Sequence, residues 1–212
     1  MSAGSSTDSS TPLTSPDDVI HFWVGDPSAP GADPLAKAEL WWKKDDAFDR
    51  EIRERFGDTH ERAVRGELDA WKAMPRGRLA LVLLYDQLSR NMFRGSARAF
   101  AQDSLAQDLA KKAFDAGDDR VLASIEVSFL LMPFMHAEDS ALQQRAIDGF
   151  EKLRDAATDE KLRKNFDSCV GYGARHKAIV DRFGRFPHRN AILGRPSTSE
   201  ETEFLKQPGS SF

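Results

Sequence analysis

The chain has 212 residues, with 30 Lys and Arg against 34 Asp and Glu, for a formal net charge of −4 at pH 7. That length suits one large domain or two small ones, and the mild acidic balance argues against bulk binding to nucleic acid or an anionic membrane surface. The single cysteine, Cys169, excludes an internal disulfide and fits a reducing, cytoplasmic setting.

Residues 1–14 are rich in Ser and Thr and read as a disordered tail. They contain no basic residue and no apolar run, so they do not form a signal peptide. No apolar stretch approaches the roughly 20 residues needed to span a bilayer. Order is expected from Ser15, an N-cap followed by Pro16 at the first helical position and by Asp17 and Asp18 at the positive end of the dipole. Val19, Ile20, Phe22 and Trp23 give this helix its apolar weight. Residues 26–34 carry three prolines and form a loop.

After Trp41 and Trp42, Ala47, Phe48, Ile52 and Phe56 predict a helix over about 45–56, with Gly57 as its stop. A second, strongly charged helix is expected over 58–71, separated by Pro75 and Gly77 from the next. That next stretch, 78–95, reads RLALVLLYDQLSRNMFRG and is the one around which the chain is organised. Its first half is apolar on every side, which belongs at the centre of a protein. Its end carries a polar cluster. Asp86 and Arg90 stand four apart in the favourable acid-first order, and Gln87 and Asn91 are spaced as a second pair. Such a cluster is either a buried network that fixes packing or a site.

A helix over 97–116 follows, then the apolar run VLASIEVSFLLMPFM over about 119–135, which Pro133 should kink or end. Glu126 is a carboxylate on an otherwise apolar helix and needs a partner; Arg90, Arg94 or a basic group of the C-terminal segment are candidates. His136 and Glu138 follow the proline. Helices over 141–156 and 159–183 complete the regular part. The long one places Ser168, Tyr172 and His176 on one face, and Gly171 and Gly173 point to close packing there. From Arg175 to Arg195 there are six Lys or Arg and one acid, Asp181. These either pair with acidic helices elsewhere or form an anion site of forked guanidinium groups. His188, Arg189 and Asn190 lie in that irregular basic segment. Ser197 and Glu200 suggest a capping box for a last short helix, and 207–212 should be frayed.

No stretch alternates like a strand, so the expected fold is all-α. One domain over 15–206 is expected, built of stacked antiparallel helix pairs: 97–116 with 119–135, then 139–156 with 159–183. The histidines match no zinc signature, and no cofactor or metal is expected. Cys169 reads as a packed small hydrophobe.

Four segments together carry a resemblance: DDVIHFWVGD, GRLALVLLYDQLSRNMFRGSARAFAQD, LLMPFMHAED and RHKAIVDRFGRFPHRNAILGRPSTSEETEFL. They resemble a bacterial family known only as domain of unknown function 924, over nearly the whole chain from about Asp17 to Leu205. The family usually has Phe-Pro where this chain has Leu88-Ser89, a swap that leaves Asp86, Gln87, Arg90 and Asn91 in place. The resemblance implies a TPR-like α-α superhelix. It implies no activity, and so no catalytic residue.

Two functional readings follow. In the first, Asp86, Arg90, Asn91, Glu126, His136, Glu138, His176, His188, Arg189 and Asn190 converge into a pocket for a small anionic molecule, either a binding or an enzyme site, with Arg90, Glu126 and His188 in one network. In the second, the chain is a TPR-like scaffold that binds a peptide or protein partner in a groove.

Overall fold

The computed structural model describes residues 14–211. The expected tail therefore lies outside the described residues except for Thr14. Among the described residues the regular elements are helices.

Helix α1 (Pro16–Trp23) starts as its sequence dictates. The Ser15 side chain accepts from the Asp18 N–H, and the Asp18 carboxylate accepts from the Ser15 N–H. Its apolar residues are all buried. Helix α2 (Ala38–Trp42) is short, and the Trp41 indole donates to the carbonyl of Trp23 at 2.7 Å. Helix α3 (Asp46–Val64) corrects the expectation of two helices broken at Gly57. It runs through that glycine unbroken, because the apolar stripe Ile52, Phe56 and Ala63 stays in register across it and is buried. One Gly in a helix interior costs only about 1 kcal/mol.

The central element is one continuous helix with a widened turn. Helix α4 (Pro75–Leu83) passes into a π turn (Leu84–Leu88) and then into α5 (Ser89–Met92). Buried Leu79, Ala80, Leu81, Val82 and Leu83 occupy every side of α4, and α1, α6 and α7 pack around it. The turn is held by Ser89, whose hydroxyl donates to the Leu84 carbonyl at 2.9 Å and also meets His60 Nε2 at 2.8 Å. Tyr85 donates to the carbonyl of Ala63. A π turn inserts a residue and re-aims the side chains around it; here those are Asp86 and Gln87.

The helix expected over 97–116 splits into a 3₁₀ turn (Ala97–Phe100) and α6 (Asp103–Asp115). Helix α7 (Ser124–Met135) begins later than expected, contains Pro133 in its last turn and ends at 135, as expected. Its apolar residues are buried on all sides, so packing holds the last turn in place despite the missing N–H. Helices α8 (Ser140–Ala156) and α9 (Glu160–Phe183) are joined by residues 157–159 and pack along each other, and α7 packs against both. Both expected pairs, α6 with α7 and α8 with α9, are in contact. Gly149 on α8 faces Leu131 and Gly173 on α9 faces Ile147, 3.0 Å from where a Cβ would stand. Gly171 has open space around it instead; it does not mark a close approach.

Helix α10 (Ser199–Phe204) is capped one residue later than expected, by Thr198 with Glu201. The segment after it turns back on the body. Ser210 is buried and donates to the Leu205 carbonyl, and Ser211 borders the cavity described next.

Candidate functional site

An open cavity of about 580 Å³ lies where the end of α7, the π turn, α9 and the segment after α9 meet. Each wall follows from local structure. The 3.6-residue period brings Ser168, Tyr172 and His176 of α9 to one face, and all three border the cavity, as their spacing requires. Met132, Met135 and His136 come from the last turn of α7. The π turn and α5 contribute Gln87 and Arg90, and the 3₁₀ turn (Pro187–Arg189) contributes His188 and Arg189. Trp41, Trp42 and Phe100 add aromatic surface. Among the described residues the walls hold three arginines (Arg90, Arg94, Arg189) and three histidines (His136, His176, His188), and no Asp or Glu side chain.

The carboxylates stand behind this wall. Asp86, fully buried, sits 2.7 and 3.0 Å from His136 Nδ1 by its two oxygens, 2.8 Å from Arg90 Nη1, and accepts from Gln87 Nε2 at 2.6 Å. Arg90 bridges onward to Asp103 at 3.1 Å, and Asp103 also receives Arg189 Nη1 at 3.4 Å. The same Nη1 donates to the carbonyl of His136 at 3.1 Å. Acid and base thus alternate along Asp86, Arg90, Asp103 and Arg189. Buried ion pairs of this kind rest on mutual satisfaction, since removing one member strands its partner.

Burial and charge set the protonation states. Burial by itself would raise the Asp86 carboxyl, but the charge of Arg90 and the contact with His136 outweigh it and hold the group well below the ordinary carboxylate range. Asp103 is raised by its burial and by the nearby Asp86 charge, against the pull of Arg90. Burial, then the Arg90 charge, lowers His136 despite Asp86. Burial lowers His176 to about 3, and burial together with Arg189 lowers His188 to about 4. All three imidazoles are therefore neutral at pH 7. Arg189 falls to about 10 through burial and the Arg90 charge, and remains a cation. Burial lifts the Cys169 thiol to about 12, so no thiolate is present at neutral pH.

Arg189 is 6% exposed and makes its hydrogen bonds through Nη1 only. Its guanidinium lies over the rings of Phe100 and Phe186, and its buried Nε has no partner. An unused donor on a buried cation at a cavity wall is costly to leave so.

Five of the ten residues singled out from sequence therefore border one cavity: Arg90, His136, His176, His188 and Arg189. Asp86 lies directly behind them. Four stand elsewhere. Asn91 donates to Asp49, which also holds Arg94; it does not pair with Gln87. Glu126 sits in the first turn of α7, at the end opposite His136, where it accepts from the Ala123 N–H and from Arg76 at 2.7 Å. It is thus no part of a network with Arg90 and His188. Glu138 is clamped by Arg195 and by the Phe186 N–H. Asn190 donates to Ser197 and Glu201. The basic run is largely consumed in the same way: Lys177 pairs with Asp181, Arg182 with Glu200 and Arg185 with Glu201.

Sequence reasoning passed over Asp103, and it offered Arg94 only as a partner for Glu126, where the structure pairs it with Asp49. A continuous helix over 97–116 puts Asp103 in its interior, where it reads as one more solvated charge. The signal was the first-turn preference for Asp at a helix start, hidden because the 3₁₀ break before α6 carries no Pro or Gly.

The same fold occurs in the solved structure of a protein of unknown function from Agrobacterium tumefaciens. The two chains are 39% identical and superpose with a TM-score of 0.75, over 90% of this chain and 96% of that one. No curated protein matches the sequence. The family model for bacterial proteins of unknown function, DUF924, matches residues 19–209, and the chain belongs to that family.

Proposed function

We propose that the cavity binds a small molecule with an anionic head and an apolar body. The observation that carries this reading is the sorting of charge among the described residues: three arginines on the wall, the Asp86, Asp103 and Asp49 carboxylates behind it, and a donor of buried Arg189 left without a partner. A carboxylate or phosphate matches a guanidinium fork better than any neutral group. The aromatic and methionine side chains of the same walls suit a flat or branched apolar body, as in most small-molecule sites. Trp42 and Tyr172, both more than half exposed, stand at the open side.

Thermal melting with inorganic phosphate, phenyl phosphate, benzoate and neutral benzamide tests this reading. Phenyl phosphate should stabilise saturably and more than inorganic phosphate, and benzamide should do nothing. A ligand at about 100 times its Kd adds roughly 2.7 kcal/mol, which corresponds to a rise of several degrees for a chain of this length. Arg189→Gln and Arg90→Ala should abolish the shift, and Arg65→Ala, at an exposed position, should keep it. A wild-type chain that no anion stabilises overturns the reading. Stabilisation by peptides alone would favour the scaffold instead.

A further inference from the structure

Asp86 and His136 form a pair whose geometry exceeds what anion binding needs. Packing could be served by any hydrogen-bonded couple. Here the carboxylate is fully buried, receives His136, Gln87 and Arg90, and takes the imidazole by Nδ1. That contact assigns the Nδ1 proton to the bond with Asp86 and leaves the Nε2 lone pair as the free one, on a ring that borders the cavity. The backbone is fixed as well: the His136 N–H donates to Met132 and its carbonyl accepts from Arg189. A third group orienting a base in this way is the arrangement of activated general bases.

Neither Cys169 nor Ser168 of the cavity wall is available as a nucleophile to go with this base. Burial keeps the Cys169 thiol protonated, and the Ser168 hydroxyl donates within its own helix to the Lys164 carbonyl. Water reaches the site from the open side.

We propose that His136 is a general base, positioned by Asp86, that activates water to hydrolyse a carboxylic ester carrying a separate anionic group. His136 Nε2 takes one proton from the water as its oxygen bonds to the ester carbonyl carbon. The carbonyl electron pair moves onto its oxygen, whose charge faces the cationic guanidinium of Arg90 on the cavity wall. Collapse of this intermediate breaks the bond to the leaving alkoxide, which receives the proton back from Nε2. One water and one ester become one acid and one alcohol, and His136 returns to its neutral state. Arg189 holds the anionic group; this step rests on the anion-pocket reading above.

The groups facing His136 from each packed element are Asp86 and Arg90 of the central helix, Asp103 at the start of α6, His176 of α9 and Arg189 of the C-terminal segment. Burial and the two arginines lower its pKa against Asp86. Activity should thus be lost on the acid side only below the ordinary imidazole range.

The probes are 4-nitrophenyl hydrogen succinate, an ester with a carboxylate and an aromatic ring, and its neutral counterpart 4-nitrophenyl butyrate. The full chain should turn over the charged ester about tenfold or more better in kcat/KM, because only that ester reaches Arg189. His136→Gln should lower kcat by about 100-fold or more with little change in KM, the signature of a group acting in the transition state. Phenyl phosphate should still stabilise that variant. Should it fail to fold, carbethoxylation of His136 in the wild-type chain, located by mass spectrometry, should abolish turnover at the same rate as it modifies Nε2. Stabilisation by phenyl phosphate without turnover of either ester overturns the base and leaves the anion pocket standing. No stabilisation overturns the pocket itself. Full turnover in His136→Gln, or an acid limb at or above the ordinary imidazole range, also overturns the base.

Discussion

Gly77, in the first turn of α4, lies against the carbonyl oxygen of Trp71 so closely that a Cβ would overlap it. The obstacle is backbone, which cannot rotate away as a side-chain tip can. This is how the chain entering α4 passes tightly over the start of its own central helix. Gly77→Ala should therefore destabilise by about 1–3 kcal/mol, in the range of overpacked cores. Gly171→Ala, in open space on α9, should stabilise by about 0.4–1 kcal/mol through the unfolded chain and helix propensity. Urea unfolding of the two variants checks the pair, and equal effects would refute the close contact.

Leu83 is fully buried in α4, immediately before the π turn. Replacing it by Ala removes core volume where α1, α6 and α7 converge, and should cost about 2–5 kcal/mol. The same measurement on Leu105, which is exposed, should show less than about 0.5 kcal/mol. A cost at Leu83 below that figure would mean that this helix is peripheral.

The buried histidines make stability depend on pH, and the sign is determined. His176 and His188 have folded values near 3 and 4, below the ordinary 6.5. Between those values and 6.5 the unfolded chain binds more protons, so stability rises with pH through this window and is lost as pH falls through it. The depressed carboxyls of Asp86 and Glu138 act in the same direction at lower pH, below about 4. The melting temperature should drop steadily from pH 7 to pH 4. His176→Gln, which removes one of these groups, should flatten the upper part of that slope.

Arg195 clamps Glu138 by both nitrogens at 2.6 and 2.9 Å, while Glu138 also takes the Phe186 N–H. This one carboxylate ties the segment bearing His188 and Arg189 to the end of α7. Arg195→Ala should cost roughly 1–3 kcal/mol, the range for a hydrogen bond to a charged group. Hydrogen exchange should rise chiefly over 186–195. A uniform rise over the whole chain would show that the clamp is not local.

The helical pattern was legible because it is local. The apolar faces of α1, α4, α7 and α8 appear in the order of their residues, and the common face of Ser168, Tyr172 and His176 follows from a period of 3.6. Breaks that depend on no special residue type, such as the 3₁₀ turn before α6, left no comparable mark. Gly57 marked a break that packing overrode, whereas α7 ends two residues after Pro133.

What the sequence by itself determined is an all-helical chain with one helix buried on every side and polar groups gathered at that helix's end. Tertiary structure alone decided which charges meet. Glu126 and Asp86 look alike in the sequence, each a carboxylate in an apolar helix, yet one finds Arg76 at the start of α7 and the other finds His136 at its end. The physical reason is that a buried charge must find a partner within about 3 Å. Which partner stands that close, fifty residues away along the chain, is set by how the helices cross rather than by any spacing the sequence displays.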